Sequence, residues 1–295
     1  MRAVVLGASG VIGRALLPEL ATRYEVVAVS RRPQAGGPRV TWARADVTDR
    51  ASVAALLREG DVVVYLVHSL GSSDFERVDR LAAENVASAA EQAGARQIVY
   101  LGGLGAEAGT DSKHLLSRAE TAERLAAGPV PVTTLRAAMV VGPGSAAFET
   151  IRALVDRLPL MIAPRWVSTP TQPVALADVV RYLAGVSGLE AAYGESFDVG
   201  GPEVMTYREM IERIALLRGR RIPIVEVPVL TPRLSSWWLH LVTPVNAAVA
   251  RPLIDGLRTP TVVRETRIRE LVPFELTSFH DAVRHALAAG LPDRP

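Results

Sequence analysis

The chain alternates short apolar runs with longer amphipathic segments over its first 145 residues. Residues 3–6 are apolar and end in glycine, residues 10–21 repeat apolar side chains at helical spacing, and residues 25–30 are apolar again. The same alternation predicts strands at 40–43, 61–67, 97–102 and 132–141 and helices at 52–58, 74–93 and 112–126. Short β-branched runs between longer helices are typical of a parallel sheet covered on both faces. The pattern therefore predicts an α/β fold with a doubly wound parallel sheet.

The alternation changes after about residue 145, which indicates a second, smaller lobe. We expect residues 1–150 to form the main domain, with parts of 175–200 added to its core, and residues 151–295 to form mainly the C-terminal lobe. Thr206 and Glu209 have the spacing of a capping box at a helix start. Further helices are predicted at 145–158, 175–188, 206–218 and 277–289, a strand at 195–199, a loop at 161–173 and a proline-rich segment at 223–260.

A glycine-rich turn joins the first predicted strand to the first predicted helix. In this context the first glycine permits a tight turn, the second lets the backbone approach a pyrophosphate, and the third lets the helix pack on the sheet. The phosphate then lies at the helix N-terminus. The alternative is a glycine turn without a ligand. We expect a Rossmann-type dinucleotide site with the C-terminal lobe binding substrate, and the predicted turn comprises Gly7, Ser9, Gly10, Val11, Ile12 and Gly13.

The ends of the second and third strands indicate which dinucleotide binds. Ser30, Arg31 and Arg32 follow the second strand, where an NAD-specific site would place a carboxylate for the ribose 2′-hydroxyl. Two guanidinium groups can instead hold a 2′-phosphate, so we expect NADP(H); the alternative is a solvated turn. Asp46 and Val47 follow the third strand and suit an adenine ring, unless Asp46 is only a helix N-cap.

Composition and charge exclude several classes of protein. The chain is 49% hydrophobic and 22% charged, which argues against disorder, and a net charge of +2 does not indicate a nucleic-acid partner. It has no cysteine and five scattered histidines, which exclude cysteine chemistry and give no metal site. No apolar run of about 18 residues occurs, so we expect no transmembrane segment and a cytoplasmic location. The oligomeric state stays open.

Several segments together resemble one known family. They are residues 63–71, 97–105, 114–120, 164–180 and 234–245, together with the glycine turn. The chain resembles the atypical, extended branch of the short-chain dehydrogenase/reductases, and within it the NAD(P)H-binding, NmrA-like proteins. The resemblance covers nearly the whole chain. It implies a Rossmann fold, a bound NADP(H), and a small-molecule substrate held by the C-terminal lobe.

The chain departs from the catalytic pattern of that superfamily, which uses a Tyr-x-x-x-Lys pair and a serine. Lys113 is the single lysine and has Gly109 four residues before it. By position, His114 replaces the tyrosine and Arg118 replaces the lysine, one helical turn apart. The serine position holds Gly102 and Gly103. His114 is a candidate general acid, a candidate substrate or cofactor ligand, or a structural residue at a helix end.

The resemblance also implies other contacts. Leu66, Val67 and His68 are expected beside the cofactor ribose, with Leu101, Gly102 and Arg118 nearby, and the backbone of Ala137 and Ala138 is expected at the nicotinamide. Asp178 is expected to cap its helix. Aromatic side chains can line an apolar substrate pocket or belong to the core. The candidate substrate-binding residues are Ser69, Gly103, His114, Met139, Trp166, Trp237 and Trp238.

Two functions remain open on the sequence. The first is an NADPH-dependent oxidoreductase, a ketoreductase that transfers hydride to a bulky aromatic or quinone-like carbonyl without the usual triad. The alternative is a non-catalytic NADP(H)-binding redox sensor or a structural accessory subunit, which the loss of all three triad positions favours. Fold alone does not decide between them.

Overall fold

The computed structural model describes residues 1–32, 34–69, 74–106, 110, 112–227 and 256–289. Its centre is a parallel sheet of seven strands in the order β11-β6-β5-β4-β1-β2-β3. The expected α/β class with a doubly wound sheet is therefore confirmed. These strands are β1 (Arg2–Leu6), β2 (Glu25–Ser30), β3 (Val40–Arg44), β4 (Val62–Tyr65), β5 (Gln97–Gly103), β6 (Val132–Ala137) and β11 (Ser196–Val199).

Helices cover both faces of this sheet because its central strands are apolar on both sides. Along β1, Ala3 and Val5 face one hydrophobic cluster, whereas Val4 and Leu6 face another. This is the two-residue period of a strand, and burial on both faces is typical of parallel sheets. The first face is covered by α1 (Val11–Ala21) and α6 (Leu176–Val186), and the second by α2 (Arg50–Ala54), α3 (Phe75–Ala93) and α4 (Lys113–Leu125).

A second hydrophobic core lies beside the sheet. It packs α5 (Ala146–Arg157) and α7 (Tyr207–Leu217) against α9 (Phe279–Ala288). The capping box predicted at the start of α7 is present, with the Thr206 hydroxyl and the Glu209 carboxylate each accepting a backbone N–H. Short strands complete this core: β7 (Val140–Val141), β8 (Met161–Pro164), β9 (Pro170–Thr171), β10 (Val174–Ala175), β12 (Met205–Thr206) and β13 (Ile224–Val227).

Several predicted elements differ from those observed. Residues 161–173 are not a loop, since they contain β8, β9 and a 3₁₀ turn at Arg165–Ser168. The predicted strand 132–141 is divided into β6 and β7. A short helix, α8 (Arg267–Leu271), was not predicted. Pairs of strands as short as two residues have no readable period, which explains why the sequence pattern missed them.

Asp178 does not cap its helix. It lies in the first turn of α6, whose N-cap residue is Ala175, and it is completely buried. Its carboxylate accepts hydrogen bonds from the backbone N–H and the hydroxyl of Thr277, at 2.8 and 2.9 Å. Asp178 therefore ties the segment before α9 to α6. Within the described residues, no helix is both long and apolar enough to cross a membrane.

Candidate cofactor and substrate site

A cleft lies at the carboxyl edge of the main sheet, where β1, β4, β5 and β6 end. Its cavity has a volume of about 390 Å³. In open doubly wound sheets, ligands bind at this edge. The predicted residues that line the cavity are Gly7, Gly10, Val11, Ile12, Gly13, Leu66, His68, Leu101, Gly102, Gly103, His114, Arg118, Ala137, Ala138 and Met139.

The glycine turn has the geometry that the motif requires. Gly7 has φ +85°, and a Cβ there would lie 3.0 Å from the backbone of Leu66. A Cβ on Gly13 would lie 2.6 Å from the Gly7 carbonyl oxygen, so only glycine permits this close packing of α1 on the turn. Gly10 is the N-cap of α1 and supplies no side-chain cap. The first turn of α1 is thus free of a capping side chain where a phosphate would rest.

The two arginines after β2 lie on the surface, outside the described lining of the cavity. Arg31 and Arg32 are exposed, and the Ser30 hydroxyl donates to the Arg32 carbonyl at 2.5 Å. This bond fixes the turn that presents the two guanidinium groups. Ser9 lies in the glycine turn but away from the cavity lining. Exposed, unburied guanidinium groups retain their full capacity to bind a phosphate.

Asp46 is not a helix N-cap. Its carboxylate accepts from the backbone N–H and the hydroxyl of Thr48, at 2.9 and 2.7 Å, and these bonds lower its pKa. Asp49 instead caps α2 by accepting from the Ala51 N–H. The exposed Asp46 and the half-buried Val47 remain accessible at the end of β3.

Two histidines and one arginine face the cleft from different elements. His68 follows β4, whereas His114 and Arg118 lie one turn apart on α4. Desolvation by the cleft walls and the Arg118 charge lower the pKa of His114 to about 3. The same causes lower the pKa of His68 to about 4, although His68 is the more exposed of the two histidines. Both imidazoles are therefore neutral at neutral pH.

Arg118 is held by the strand beneath it. Its Nη2 donates to the Leu101 carbonyl oxygen, and its guanidinium lies 5.5 Å from the centre of the Tyr100 ring. The Tyr100 hydroxyl donates to the Arg118 carbonyl at 3.0 Å. These contacts keep a permanent positive charge at the cleft, since a guanidinium does not lose its proton in proteins.

Ser69 does not line the cavity but anchors the loop that carries His68. Its N–H and hydroxyl both donate to the Asp79 carboxylate on α3, at 2.9 and 2.7 Å. Burial raises the pKa of Asp79 above the usual carboxyl range, while these hydrogen bonds oppose the shift. Asp79 escaped sequence analysis because a carboxylate on the buried face of a long helix has no motif around it.

The backbone at the end of β6 is already largely hydrogen bonded. The Ala138 N–H donates to Val199 O at 3.0 Å, and Ala137 O accepts from Leu104 N at 2.9 Å. Met139 O accepts from the Val174 N–H at 2.9 Å. The Ala138 N–H is therefore already bonded, and a backbone contact with the nicotinamide, as expected from the sequence, would use the remaining carbonyl lone pairs.

The predicted tryptophans do not add to the described lining. Trp166 packs edge-on against Tyr207, with ring centres 6.1 Å apart, and belongs to the second core. Trp237 and Trp238 lie outside the described residues. Val67 also lies away from the lining and packs against the core. Sequence analysis missed Tyr207 and Thr261, which line the cavity from the C-terminal part of the chain and carry no recognisable motif.

Comparison with known families identifies the N-terminal part. Residues 7–136 match the NAD(P)H-binding family, a range that runs from the glycine turn to the end of β6. Residues 7–136 form an NAD(P)H-binding domain. The resemblance recognised in the sequence is thus confirmed. The choice between the two dinucleotides is not decided by this match, since the family description covers both.

Two curated relatives share sequence with the NAD(P)H-binding domain and beyond. A mitochondrial NADH dehydrogenase [ubiquinone] 1 alpha subcomplex subunit 9 of Arabidopsis thaliana is 26% identical over 71% of this chain and 56% of its own length. The (4-alkanoyl-5-oxo-2,5-dihydrofuran-3-yl)methyl phosphate reductase of Streptomyces griseus is 29% identical over 77% of each protein. The chain therefore spans little more than half the length of the plant relative.

Solved structures share the fold over almost the whole chain. The NADPH-dependent quinone oxidoreductase of Escherichia coli, solved with NADPH, has a TM-score of 0.77 at 19% identity and covers 97% of this chain and 100% of its own. The triphenylmethane reductase of Citrobacter, solved with NADP(H), has a TM-score of 0.75 at 17% identity, with 97% and 100% covered. At such identities the likeness establishes the fold alone.

Proposed function

We propose that this protein is an NADPH-dependent reductase of a bulky aromatic or quinone-like carbonyl compound. One observation carries the proposal: a single cavity joins the glycine turn to apolar walls contributed by the second core. The described lining of this cavity is mainly glycine and apolar side chains, as in pockets that hold apolar ligands. The names of the Streptomyces and Escherichia coli proteins above support a reductase.

The residues of this chain position the reactants. Bound NADPH would supply hydride to the carbonyl carbon, and bound water or an acidic hydroxyl of the substrate would supply the proton that the resulting oxyanion takes up. His114 is assigned to the carbonyl oxygen, where its neutral imidazole donates an N–H hydrogen bond, as a neutral histidine does in other enzymes. The low pKa argues against the imidazolium acid considered from the sequence. Arg118 supplies a fixed positive charge for the developing oxyanion or for a cofactor hydroxyl.

Arg31 and Arg32 support the choice of NADPH over NADH. Both are exposed at the end of β2, where the 2′-position of an adenine ribose lies in such folds. With Arg31 and Arg32 in place of a carboxylate, the site attracts a 2′-phosphate. A cytoplasmic location remains a prediction that accompanies this function.

A second function is favoured by the plant relative, which is named as a subunit of NADH dehydrogenase. In that case the chain would keep the dinucleotide site without turning over a substrate. The glycines at the usual serine position and the neutral His114 agree with this alternative. It predicts tight NADPH binding, no oxidation by any carbonyl acceptor, and assembly with other protein chains.

The deciding experiment titrates the purified protein with NADPH and NADH by fluorescence, and then mixes the NADPH complex with aromatic ketones and quinones. Acceptor-dependent NADPH oxidation that disappears on adding excess NADP⁺ supports the reductase. Tight binding without oxidation over the whole panel favours the accessory role. NADH bound more tightly than NADPH would contradict the assignment of Arg31 and Arg32.

A further inference from the structure

Two residues that carry hydroxyl groups contribute to the part of the cavity wall that comes from the C-terminal half of the chain. Tyr207 and Thr261 line the cavity together with apolar residues such as Met139 and Leu257. Both lie outside residues 7–136, the range that matches the NAD(P)H-binding family, and beyond the end of β6 where the nicotinamide is expected. Their place in the C-terminal part of the chain favours contact with the substrate over contact with the dinucleotide.

The side chain of Tyr207 is fixed from two directions. It is the first residue of α7, whose start is held by the Thr206–Glu209 capping box. Its ring packs edge-on against Trp166 and is 3% exposed. Its hydroxyl hydrogen-bonds with Thr171 and Thr261, and burial keeps it protonated by raising its pKa. The hydroxyl is therefore a pre-positioned, neutral group.

The hydroxyl groups of Thr171 and Thr261 hydrogen-bond mainly with each other and with Tyr207. The Thr171 and Thr261 hydroxyls are 2.7 Å apart. The backbone of Thr261 is already paired, because its N–H donates to Pro170 O and its carbonyl accepts from Gln172 N. Three hydroxyls carry three protons and six lone pairs, so a cluster closed on itself still leaves lone pairs unused. The cluster can accept a hydrogen bond, or donate one after a hydroxyl rotates.

The surroundings define the kind of group that fits. Among the described lining residues, Arg118 is the one side chain that is charged at neutral pH, and it is anchored on β5 through Leu101. A charged substituent beside Tyr207 and Leu257 would lose its hydration without gaining a partner. An uncharged oxygen can bond with the hydroxyls while the rest of its molecule contacts apolar walls.

We propose that Tyr207 and Thr261 form an anchor for an uncharged hydroxyl or carbonyl oxygen of a ring-bearing substrate, distinct from the carbonyl that is reduced. The proposal rests on the proposed function, in that it takes this cavity as the substrate site. It makes the preferred substrate a molecule with two oxygen substituents, one at His114 and one at the anchor.

The test compares binding of 2-naphthol and naphthalene to the full chain saturated with NADP⁺, by calorimetry or by displacement of a fluorescent probe. Neither compound accepts hydride, so turnover plays no part. Tyr207→Phe and Thr261→Val each remove one hydroxyl with little change in shape. A neutral hydrogen bond contributes about 0.5–1.5 kcal/mol, so each variant should reduce the preference for 2-naphthol about two- to tenfold. Naphthalene affinity should change less than about twofold.

Tyr193→Phe is the matched control, because the Tyr193 hydroxyl is buried, has no hydrogen-bond partner among the described residues, and lies outside the described lining of the cavity. It should keep the wild-type preference. The anchor is overturned if Tyr207→Phe and Thr261→Val also keep the wild-type preference for 2-naphthol over naphthalene, or if neither compound binds. A reduced preference in a protein that oxidises no NADPH would leave the anchor standing while the reductase fails. If the protein oxidises NADPH but the two variants keep the wild-type preference for 2-naphthol, the reductase stands and the anchor fails.

Discussion

At the scale of single residues, Arg118 determines the chemistry that the cleft can perform. Burial lowers the pKa of both His68 and His114, and the Arg118 guanidinium lowers them further. A histidine kept neutral in this way cannot act as an acid of pKa near 7, but it can orient a carbonyl through its N–H. The proposed mechanism therefore depends on the position of the Arg118 charge relative to the two imidazoles. His68 follows β4, whereas His114 and Arg118 lie on α4.

We expect His114→Ala to lower kcat about 100-fold, in the range found when a hydrogen-bond donor to a developing oxyanion is removed. His114→Gln keeps an N–H donor and should lose much less. Because His114 is neutral in the folded protein, kcat of the wild type should be level between about pH 6 and pH 9. A pH profile that falls with an apparent pKa near 7, and is abolished by His114→Ala, would restore the imidazolium acid.

Replacing Arg118 by methionine should raise the pKa of His114 by about one pH unit or more, the usual effect of one nearby charge. The change is measured on the imidazole resonances by NMR titration. A histidine whose pKa is lowered by folding binds protons more readily when unfolded, so wild-type stability should fall as pH drops below about 6.5. Arg118→Met should weaken this dependence, whereas the remote variant Arg96→Met should leave it unchanged.

At the scale of elements, the proposed phosphate site is built from the β1–α1 turn and the end of β2. The sequence predicted this strand–turn–helix and the end of β2 at the residues where the structure has them, because glycine spacing and strand ends are local properties. The N-cap alternative for Asp46 is excluded, since Asp49 caps α2 and the Asp46 carboxylate bonds to the turn residue Thr48, while its contact with adenine stays a prediction. The sequence misjudged Asp178, whose partner Thr277 lies 99 residues away. It also could not predict the low pKa of His114, which depends on neighbours from separate elements.

The contact between α1 and its turn gives a direct prediction. Gly13→Ala should weaken NADPH binding and destabilise the protein by about 1–3 kcal/mol, because the new Cβ meets the Gly7 carbonyl oxygen at 2.6 Å. Gly37→Ala is the control, since a Cβ there meets nothing within 4 Å. Thermal unfolding with and without NADPH measures both effects. Equal melting temperatures and equal ligand shifts in the two variants would contradict the predicted packing.

The proposed function assigns the choice of dinucleotide to the β2 turn. Replacing Arg31 and Arg32 together by alanine should weaken NADPH binding at least tenfold, since each charge-assisted hydrogen bond contributes about 1.5–3 kcal/mol. NADH binding should change little. Arg96→Ala is a suitable control because Arg96 precedes β5 and lies outside the β2 turn. Fluorescence titration with NADPH and with NADH measures both affinities. An equal loss of affinity for the two nucleotides would mean that the arginines bind the part of the cofactor that both share.

At the scale of the whole molecule, the NAD(P)H-binding domain shares its sheet and core with the C-terminal half of the chain. The seventh strand, β11, pairs with β6, and α6 covers the same face of the sheet as α1. On α6, Val179 and Leu183 are completely buried. A fragment of residues 1–150 would expose this face, and large exposed apolar patches cause aggregation.

We therefore expect residues 1–150 alone to lack a cooperative thermal transition, while a fragment of residues 1–202, which restores α6 and β11, regains helical signal and NADPH binding in part. Full substrate binding should need the complete chain, because Tyr207 and Thr261 contribute to the cavity. Circular dichroism melts and NADPH titrations of the three proteins test this order. A 1–150 fragment that melts cooperatively and binds NADPH like the full chain would mean that β11 and α6 are additions to a domain that is already complete.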